Sequence, residues 1–324
     1  MLLRREYLLV LCVLFALLLS CLLLSGFAQA GTLADAGDGL DLSAIYEPKR
    51  VVVLEYSFLD AVVLSGISPV GIADDNNPEL ILPSLRQQLS DYQSVGLRGQ
   101  PNLETIASLK PDLIIADKLR HSAIYDELKH IAPTLLLLSY GAEYQDLLKD
   151  ADTIGQALGR SKQMQQRLQQ HQSNMDNLSE QLKSSERLLF AVASERGVTV
   201  HASRAFASGV MQRLGLKVAV PAGDDRAYMK VSFEQLASMN PDWLFIGDYN
   251  ADQGGADILK RWQAHPLWPM LTIAKKKQLL LVDPSIWSLG RGVYAAEQLA
   301  QDLLTSGMLD RQTLQARSAQ TLVQ

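Results

Sequence analysis

Two stretches of this sequence, 130 residues apart, repeat the same pattern of side chains, and this repeat is the strongest constraint on the fold. The first runs from Asn102 to Leu113 and the second from Ser232 to Trp243. Five of the twelve positions are identical, and the others keep apolar against apolar or polar against polar residues. Each stretch predicts a capped helix, a Pro-Asp turn and a buried strand. A chain with one such unit in each half is expected to form two similar lobes.

Short apolar runs that are typical of buried parallel strands alternate with helical patterns on both sides of the chain's centre. Strands are predicted at 51–54, 69–73, 113–116 and 135–138 in the first half, and at 188–193, 198–201, 243–247 and 279–282 in the second. Because strands that alternate with helices form right-handed βαβ units, the sequence predicts an α/β fold with mainly parallel sheets.

The segment at 146–183 interrupts this alternation. It contains no proline, and its apolar residues recur at steps of three and four, which is the period of an amphipathic helix. A single helix of this length would extend about 55 Å at about 1.5 Å per residue. The sequence therefore predicts an N-terminal lobe at 50–145, one long connecting helix at 146–183 and a C-terminal lobe at 184–310.

The first thirty residues have the three parts of a secretory signal peptide. Arg4 and Arg5 precede an uncharged apolar stretch at 7–24, and Ala28-Gln29-Ala30 supplies the small residues at which a signal peptidase cleaves. We expect a cleaved, secreted chain. One alternative is an uncleaved membrane anchor, as in a membrane-anchored sensor module, because the apolar stretch is just long enough to span a bilayer. Another is a lipoprotein attached through Cys21.

Cleavage after Ala30 would leave a flexible leader at 31–49, and the chain would end in a tail at 311–324. It would also remove both cysteines, Cys12 and Cys21. The mature chain would then contain neither a disulfide nor a thiolate metal site.

The charge pattern argues against nucleic acid as a partner. The chain carries 30 basic and 35 acidic residues, and it has no basic stripe that would follow a phosphate backbone. Without Arg4, Arg5 and Glu6 of the signal segment, the net charge is about −6.

Arginines and aromatic residues follow several predicted strands, which is where open α/β sheets bind ligands. Arg291, between Gly290 and Gly292, precedes a predicted helix, a placement that suits an anion at a helix N-terminus. Guanidinium groups pair with carboxylates in a bidentate way, so these arginines favour a carboxylate-bearing anion. The candidate ligand-binding residues are Tyr56, Arg98, Arg120, Arg196, Arg204, Trp287 and Arg291.

Each of these residues also has a simpler interpretation. Tyr56 and Trp287 are equally compatible with packing in the cleft wall, and His121 with a hydrogen bond inside its own loop. An exposed arginine commonly belongs to a weak surface ion pair, which contributes roughly 0–1 kcal/mol.

The motif Asn-Leu-Glu-x-Ile-x-x-Leu-Lys-Pro-Asp-Leu-Ile-Ile at 102–115 resembles a segment that is highly characteristic of the periplasmic binding proteins serving siderophore, haem and cobalamin importers. The resemblance extends from about 50 to 304 and weakens at 190–230 and 248–257. It implies the class III binding-protein architecture, with two similar lobes joined by one long helix.

Further segments are similar to the ferric citrate (iron dicitrate) binding members of this family, namely 50–55, 71–76, 93–96, 111–117, 120–121, 266–268, 291–292 and 295–297. The resemblance implies a periplasmic protein that captures an anionic ferric chelate, ferric citrate above all, and delivers it to an ABC importer in the inner membrane. The alternative cargoes are another siderophore (a hydroxamate or a catecholate), haem or cobalamin.

Glu104 and Glu234 occupy equivalent positions of the repeat. The repeat alone allows two interpretations, a favourable charge at each helix N-terminus or a pair of carboxylates that docks one partner. In the family that the sequence resembles, each lobe carries one surface glutamate that meets arginines of the permease. The resemblance thus implies permease docking by Glu104 and Glu234.

The sequence indicates neither direct metal binding nor catalysis. Its five histidines are not paired at metal-ligand spacing, and it has no phosphate-binding loop, nucleophile elbow or dinucleotide fingerprint. We expect no cofactor and no metal site formed by the protein, so that iron is held by its chelator. A secreted hydrolase that uses serine or carboxylate chemistry is the alternative from another class.

Overall fold

The computed structural model describes residues 47–249 and 255–308. The expected signal peptide at 1–30, most of the leader at 31–49 and the tail at 311–324 lie outside the described residues.

Strands and short helices alternate through the N-terminal lobe. Its elements are β1 (Val51–Val53), α1 (Tyr56–Leu64), β2 (Gly71–Ile72), a 3-10 helix (Pro78–Leu80), α2 (Pro83–Arg86), β3 (Gln93–Ser94), β4 (Gly96–Leu97), β5 (Gln100–Pro101), α3 (Leu103–Ser108), β6 (Leu113–Asp117), α4 (Lys118–His121), a second 3-10 helix (Ser122–Ile124), α5 (Tyr125–Ile131) and β7 (Thr134–Leu137).

Five of these strands form a parallel sheet in the order β3-β2-β1-β6-β7, and β4 and β5 form a small antiparallel hairpin. Alternate residues of β1 are buried on opposite faces of the sheet, Val51 and Val53 in one core cluster and Val52 in another. Burial on both faces explains why these strands are apolar throughout.

The C-terminal lobe contains a mixed sheet. Its elements are β8 (Arg187–Ser194), β9 (Gly197–His201), α8 (Phe206–Arg213), β10 (Lys217–Val218), β11 (Tyr228–Val231), α9 (Phe233–Met239), β12 (Trp243–Asp248), α10 (Gly255–Gln263), a 3-10 helix (Trp268–Met270), α11 (Thr272–Lys276), β13 (Leu279–Val282), a π-helical turn (Ser285–Gly290) and α12 (Val293–Thr305).

The strand order in this sheet is β11-β9-β8-β12-β13, and β10 pairs with the start of β8. Strands β8, β12 and β13 are parallel, whereas β9 runs antiparallel to both β8 and β11. The α/β architecture with two lobes and mainly parallel sheets, predicted from the sequence, is confirmed.

The segment between the lobes contains two helices, α6 (Tyr144–Ala157) and α7 (Ser161–Gln181). The single helix expected over 146–183 is therefore corrected to two. The break lies at Gly159, which adopts a left-handed φ of 65° that an L side chain rarely takes.

Backbone hydrogen bonds at this break close a Schellman motif. The N–H of Gly159 donates to the carbonyl oxygen of Gln156, and the N–H of Arg160 donates to that of Gly155, which satisfies the last carbonyl groups of α6. Gly155 also allows α7 to pack closely on α6, since a Cβ at this position would lie 2.6 Å from the Cβ of Met164. The glycines thus turn a helical segment into two packed helices.

The internal repeat extends to the turns that follow its two helices. The φ angle of Lys110 is 45° and that of Asn240 is 38°, so both helices end in the left-handed conformation. Asp112 accepts a hydrogen bond of 2.8 Å from the backbone N–H of Arg50, and Asp242 accepts one of 2.9 Å from that of Arg187. Each Pro-Asp turn therefore ties a helix to the start of a neighbouring strand.

The same two arginines cap the helix ends with their side chains. Arg50 donates from Nη2 to the carbonyl oxygen of Leu109 at 2.6 Å, and Arg187 donates from Nη2 to that of Asn240 at 2.7 Å and also to that of Met239. Both lobes therefore use the same arginine cap at the end of the repeated helix.

The two lobes are joined at α12 by a buried carboxylate of α1. Asp60 accepts hydrogen bonds from the backbone N–H groups of Val293 at 2.9 Å and Tyr294 at 3.0 Å, so it caps the start of α12. Gly292 is required for this approach, because a Cβ there would lie 2.2 Å from Cγ of Asp60. Burial raises the pKa of Asp60 to about 7, although the two N–H groups act in the opposite direction.

A second contact ties α7 to α12. The carboxylate of Glu297 accepts two hydrogen bonds from the guanidinium of Arg167, at 3.0 and 2.8 Å, and lies 2.8 Å from Nδ1 of His171. Burial opposes ionisation of Glu297, but these two partners outweigh it and hold the pKa of the carboxyl at about 2. Helix α7 is thereby fixed to the C-terminal lobe.

We predict that Asp60 makes the stability of the protein depend on pH. Because its folded pKa of about 7 exceeds the ordinary value of 3.8, the folded state takes up a proton as the pH falls between these values. Its contribution to the free energy of unfolding is therefore largest below about pH 4 and is lost as the pH rises through 7. As the pH falls, the free energy of unfolding of wild-type protein should therefore rise relative to that of Asp60→Asn. The rise should be about 1.4 kcal/mol for each pH unit over which only the folded state holds the proton.

Denaturant unfolding of both proteins at pH 5 and pH 8 measures this gain. Asp126→Asn, at an exposed position, is the control, and its difference from wild type should be the same at both pH values. An equally pH-independent difference for Asp60→Asn would contradict the prediction.

Candidate functional site

Three arginines from separate parts of the chain converge on the carboxylate of Glu55, which directly precedes α1 and is 0% exposed. Nη2 of Arg291 lies 2.9 Å from Oε2 of Glu55, and Nη1 of Arg98 lies 3.5 Å from the same oxygen. Nε of Arg120 forms an ion pair with Oε1. We call these four residues the arginine cluster. Because Arg98 and Arg120 belong to the N-terminal lobe and Arg291 to the C-terminal lobe, the cluster lies between the lobes.

The turn after β2 holds Arg98 in place. Asp75, with a left-handed φ of 57°, accepts hydrogen bonds from Nε and Nη2 of Arg98 at 2.8 and 2.7 Å and from its backbone N–H at 2.8 Å. The guanidinium carbon of Arg98 lies 4.3 Å from the ring centroid of Tyr56, a cation–π contact. Asp74 instead accepts a hydrogen bond from the hydroxyl of Tyr92 at 3.0 Å and supports the loop.

Asp117, the last residue of β6, organises the loops around Arg120. One of its oxygens accepts from the N–H groups of Leu119 and Arg120 at 3.0 and 2.8 Å. The other accepts from those of Ser139 and Tyr140 at 2.7 and 3.0 Å. A single buried carboxylate therefore fixes both the start of the helix that carries Arg120 and the loop that follows β7.

His121 has a structural role next to the cluster. Its Nδ1 accepts a hydrogen bond of 2.8 Å from the N–H of Asp117, so the proton lies on Nε2, which is 2.7 Å from the carbonyl oxygen of Arg98. Burial lowers the pKa of His121. The histidine is a neutral link within its loop, which is the simpler of the two interpretations made from the sequence.

Arg291 enters the cluster from a strained turn. It adopts a left-handed φ of 43° between the π-helical turn and α12, and Nη2 also donates to Oγ of Ser139 at 3.1 Å. The suggestion that an anion binds at the helix N-terminus beside Arg291 is corrected here, because Asp60 already caps that terminus. The guanidinium itself joins the arginine cluster.

The buried guanidinium groups remain charged. Burial acts against the charge of Arg98 and Arg291, but the carboxylate of Glu55 outweighs it, with Asp75 adding to the effect at Arg98 and Tyr228 at Arg291. The pKa of both side chains is therefore raised. Three guanidinium groups are paired with the carboxylates of Glu55 and Asp75, whereas the nearby carboxylates of Asp74 and Asp117 accept hydrogen bonds from the surrounding loops.

Two stacked tyrosine rings lie beside the arginine cluster. The rings of Tyr140, after β7, and Tyr228, in β11, are stacked with centroids 5.3 Å apart. The guanidinium carbon of Arg120 lies 4.8 Å from the ring centroid of Tyr140. Because Tyr140 and Tyr228 come from different lobes, this stack also lies where the lobes meet.

The two aromatic candidates from the sequence lie in different environments. Tyr56 is beside Arg98, is only 2% exposed, and its hydroxyl has no hydrogen-bond partner among the described residues. Trp287 is 0% exposed in the core of the C-terminal lobe, stacked on Phe245 at 4.8 Å, and its Nε1 donates to Asp302 at 2.9 Å. Trp287 is therefore placed in the protein core, outside the cluster.

Arg196 and Arg204 are exposed and do not join the cluster. Arg196 lies in the turn between β8 and β9. Arg204 forms an ion pair of 2.6 Å with Glu143 at the start of α6, and both side chains are about half exposed.

The repeat places Glu104 and Glu234 at the same position of α3 and α9. Each is the second residue of its helix, after the N-caps Asn102 and Ser232, and each is exposed. A hydrogen bond with Ser232 is the main cause that lowers the pKa of Glu234. The two helices thus present equivalent exposed carboxylates.

Sequence reasoning missed the acidic and aromatic residues that arrange the arginines, namely Glu55, Asp75, Asp117 and Tyr140. Glu55, Asp75 and Tyr140 each lie two or three residues beyond the end of a strand, and Asp117 ends one. The rule that singled out the arginines therefore also applied to these side chains.

Within residues 47–249 and 255–308, no group of three or more His, Cys, Asp or Glu side chains is arranged to hold a metal ion. In the same residues, every helix is too short or too polar to cross a membrane.

Comparison with known proteins agrees with this architecture. Residues 51–286 match a protein family described as periplasmic binding protein. The chain is 43% identical over 282 residues to the Fe(3+) dicitrate-binding periplasmic protein FecB of Escherichia coli, with 87% of this chain and 91% of that protein covered. It is 39% identical over 302 residues to the Fe(3+)-citrate-binding protein YfmC of Bacillus subtilis, with 89% and 94% covered.

Among solved structures, the crystal structure of Staphylococcus aureus SirA complexed with staphyloferrin B matches with a TM-score of 0.71 and 26% identity, covering 81% of this chain and 93% of SirA. The family match spans both lobes and the connecting helices, and the relatives are similar over most of their length. This chain therefore belongs to the family of periplasmic binding proteins.

Proposed function

We propose that this protein binds an anionic ferric chelate, ferric citrate, at the arginine cluster and delivers it to an ABC importer in the inner membrane. The observation that carries the proposal is the convergence of Arg98, Arg120 and Arg291 from both lobes on one buried place. A ligand that pairs with all three would hold the two lobes together.

The chemistry of citrate suits this place. Citrate binds iron through carboxylates and its complexes keep a net negative charge, and guanidinium groups bind carboxylates with both orientation and energy. A neutral hydroxamate would add no negative charge beside the three guanidinium groups, which share the carboxylates of Glu55 and Asp75. The cluster thus favours ferric citrate over a neutral hydroxamate, and iron would be held by citrate instead of by protein side chains.

The relatives support the same assignment. FecB is named as an Fe(3+) dicitrate-binding protein and YfmC as an Fe(3+)-citrate-binding protein. Both names describe binding without turnover, which counts against the hydrolase alternative. We retain Arg196 and Arg204 as outer contacts for the chelate and Tyr56 as a contact beside Arg98, and the core position of Trp287 gives it no contact.

Delivery is proposed to use the two exposed glutamates of the repeat. Glu104 and Glu234 lie at the starts of helices that precede β6 and β12, whereas the arginine cluster follows the strands. Two carboxylates held on one protein can bind two basic sites of a permease at the same time. Once the first contact has formed, the second is intramolecular and is favoured by a high effective concentration.

The protein functions outside the cytoplasm, as its relatives include periplasmic proteins and a lipoprotein. We propose a soluble periplasmic form, and predict that the purified mature protein begins at Gly31, because the basic, apolar and Ala-x-Ala elements stand in the order that signal peptidase requires. Mass spectrometry of the N-terminal peptide measures this. Retention of Met1, or a lipid on Cys21, would contradict it.

We predict that replacing Arg98, Arg120 or Arg291 by Ala lowers the affinity for ferric citrate about tenfold or more, since each loses a charge-assisted hydrogen bond. Arg196→Ala and Arg204→Ala should cost less, because both side chains are exposed. Titration calorimetry measures the affinities. Arg213→Ala, which removes an arginine paired with Asp176 away from the cluster, is the matched control; wild-type affinity in all three cluster variants would rule out the citrate site.

We predict that Glu104→Arg and Glu234→Arg each impair iron uptake strongly while ferric citrate affinity changes less than about threefold. Charge reversal adds repulsion to the loss of pairing at the permease, and neither carboxylate lies in the cluster. Uptake of radioactive iron in cells and titration of the purified variants measure the two effects. Glu180→Arg, an exposed position on α7, should leave both unchanged, and normal uptake in the two docking variants would show that these glutamates only cap their helices.

A further inference from the structure

The segment between α10 and β13 makes the two lobes different. In each lobe a helix lies between the strand of the repeat and its parallel neighbour, α5 between β6 and β7 and α10 between β12 and β13. Only residues 132–133 separate α5 from β7, whereas residues 264–278 separate α10 from β13. The additional residues contain a 3-10 helix and α11, so this segment is an addition to the C-terminal lobe.

The additional segment is apolar although much of it is exposed. Residues 262–274 contain no aspartate, glutamate, lysine or arginine. Its exposed apolar side chains include those of Pro266, Leu267, Pro269 and Met270, with Leu267 at 45% and Met270 at 65%. We call these four residues the apolar platform. Surfaces that contact other proteins are depleted in charged residues and enriched in methionine, and exposed apolar patches mark such surfaces.

Buried residues fix the platform on the lobe. The ring of Trp268, within the platform, packs against that of Phe233 with centroids 6.5 Å apart, and Leu271, directly after the platform, is only 5% exposed. The backbone N–H of Met270 donates to the carbonyl oxygen of Leu267 at 3.0 Å, and that of Leu271 donates to the carbonyl oxygen of Trp268 at 3.0 Å. Because the surface is preformed, a partner would lose little free energy in ordering it.

The platform lies beside the exposed glutamate of the C-terminal lobe. His265 directly precedes the platform, and its ring centroid lies 4.1 Å from that of Phe233, the residue before Glu234. Nδ1 of His265 accepts a hydrogen bond of 3.2 Å from the N–H of Leu267. His265 therefore connects the platform to the start of α9, where the carboxylate of Glu234 is exposed.

The glutamate of the N-terminal lobe has different surroundings. Among the described residues, the large apolar side chains exposed in that lobe are those of Leu97, Leu119 and Tyr140. Leu97 directly precedes Arg98 and Leu119 directly precedes Arg120, and the ring centroid of Tyr140 lies 4.8 Å from the guanidinium carbon of Arg120. These side chains therefore accompany the arginine cluster, whereas the platform accompanies the glutamate of its own lobe.

We propose that the apolar platform and Glu234 together form one docking surface for the permease, whose matching face carries a basic site for the carboxylate and apolar side chains beside it. This inference rests on the proposed function, because it assumes that Glu234 docks at the permease. An exposed ion pair contributes little by itself, since water and salt screen it. Apolar contacts around the pair exclude water and add affinity of their own. The C-terminal lobe thus offers the permease a larger contact than its glutamate alone.

The test adds purified protein, loaded with radioactive ferric citrate, to spheroplasts of the strain that encodes it, after deletion of the strain's own copy. The rate of iron uptake is measured against the concentration of added protein. In the double variant Leu267→Asn/Met270→Gln, polar groups replace two exposed apolar side chains at similar size. We expect the concentration that gives half-maximal uptake to rise about tenfold or more, since burial of each apolar side chain is favourable. An unchanged concentration would overturn the inference.

Ligand binding and a matched variant serve as controls. The double variant should keep the wild-type affinity for ferric citrate in titration calorimetry and the wild-type melting temperature, because both replaced side chains are exposed. A loss of ferric citrate affinity large enough to explain the loss of uptake would overturn the inference. Leu281→Asn changes a leucine of β13 that is 71% exposed, and it should leave uptake unchanged. An equal defect in this variant would contradict a specific role of the platform.

A charge placed on the platform tests whether it lies against the same part of the permease as Glu234. Met270→Lys should raise the half-maximal concentration more than Met270→Glu, because the basic site that attracts Glu234 repels a lysine beside it. Equal effects of the two substitutions would contradict a joint docking surface.

Other occupants of the platform would give other results. Binding of wild-type protein, but not of the double variant, to protein-free vesicles of phosphatidylethanolamine and phosphatidylglycerol would show that the platform contacts lipid. Sedimentation of wild-type protein as a dimer and of the double variant as a monomer would show that it contacts a second copy of the chain. Either result would overturn the inference. If Glu234→Arg supports uptake at the wild-type concentration, the proposed delivery function is wrong; if that variant fails and the double variant does not, only the role of the platform is wrong.

Discussion

The ion pairs of Glu55 are the interactions on which the rest of the site depends. One buried carboxylate, directly before α1, brings together guanidinium groups that are far apart in the sequence; Arg291 is 236 residues away. Burial alone would favour the neutral forms of Arg98 and Arg291, and the carboxylate of Glu55 keeps both side chains charged. Since the arginines come from both lobes, the same contacts help to determine how the lobes meet and, under the proposed function, where the anion binds.

Under the proposed function, the repeated unit separates ligand capture from delivery. In each lobe a capped helix, a Pro-Asp turn and a parallel strand follow one another, and an arginine at the start of a neighbouring strand caps the end of the helix. The start of that helix carries the exposed glutamate. In the N-terminal lobe the helix after this strand carries Arg120 of the arginine cluster, whereas in the C-terminal lobe Arg291 follows a later strand. Duplication therefore places one exposed glutamate on each lobe, and both lobes supply arginines to the cluster.

Much of the fold and part of the site could be predicted from the sequence, because both depend on local patterns. Alternating apolar runs indicated the parallel sheets, and the strand-end rule selected Arg98, Arg120 and Arg291. The partners of these arginines could not be predicted, since pairing across the lobes is set by tertiary structure. Trp287 shows the same limit, because strand-end position did not reveal that its ring faces the core. Gly159, by contrast, was a local signal for the helix break that the period of the apolar residues concealed.

A crystal structure of the mature protein with ferric citrate tests the central claim most directly. The account predicts that citrate carboxylate oxygens lie within hydrogen-bonding distance of Arg98, Arg120 and Arg291, between the two lobes, and that no protein side chain coordinates the iron. Ferric citrate bound away from these arginines, or iron coordinated directly by protein side chains, would contradict it.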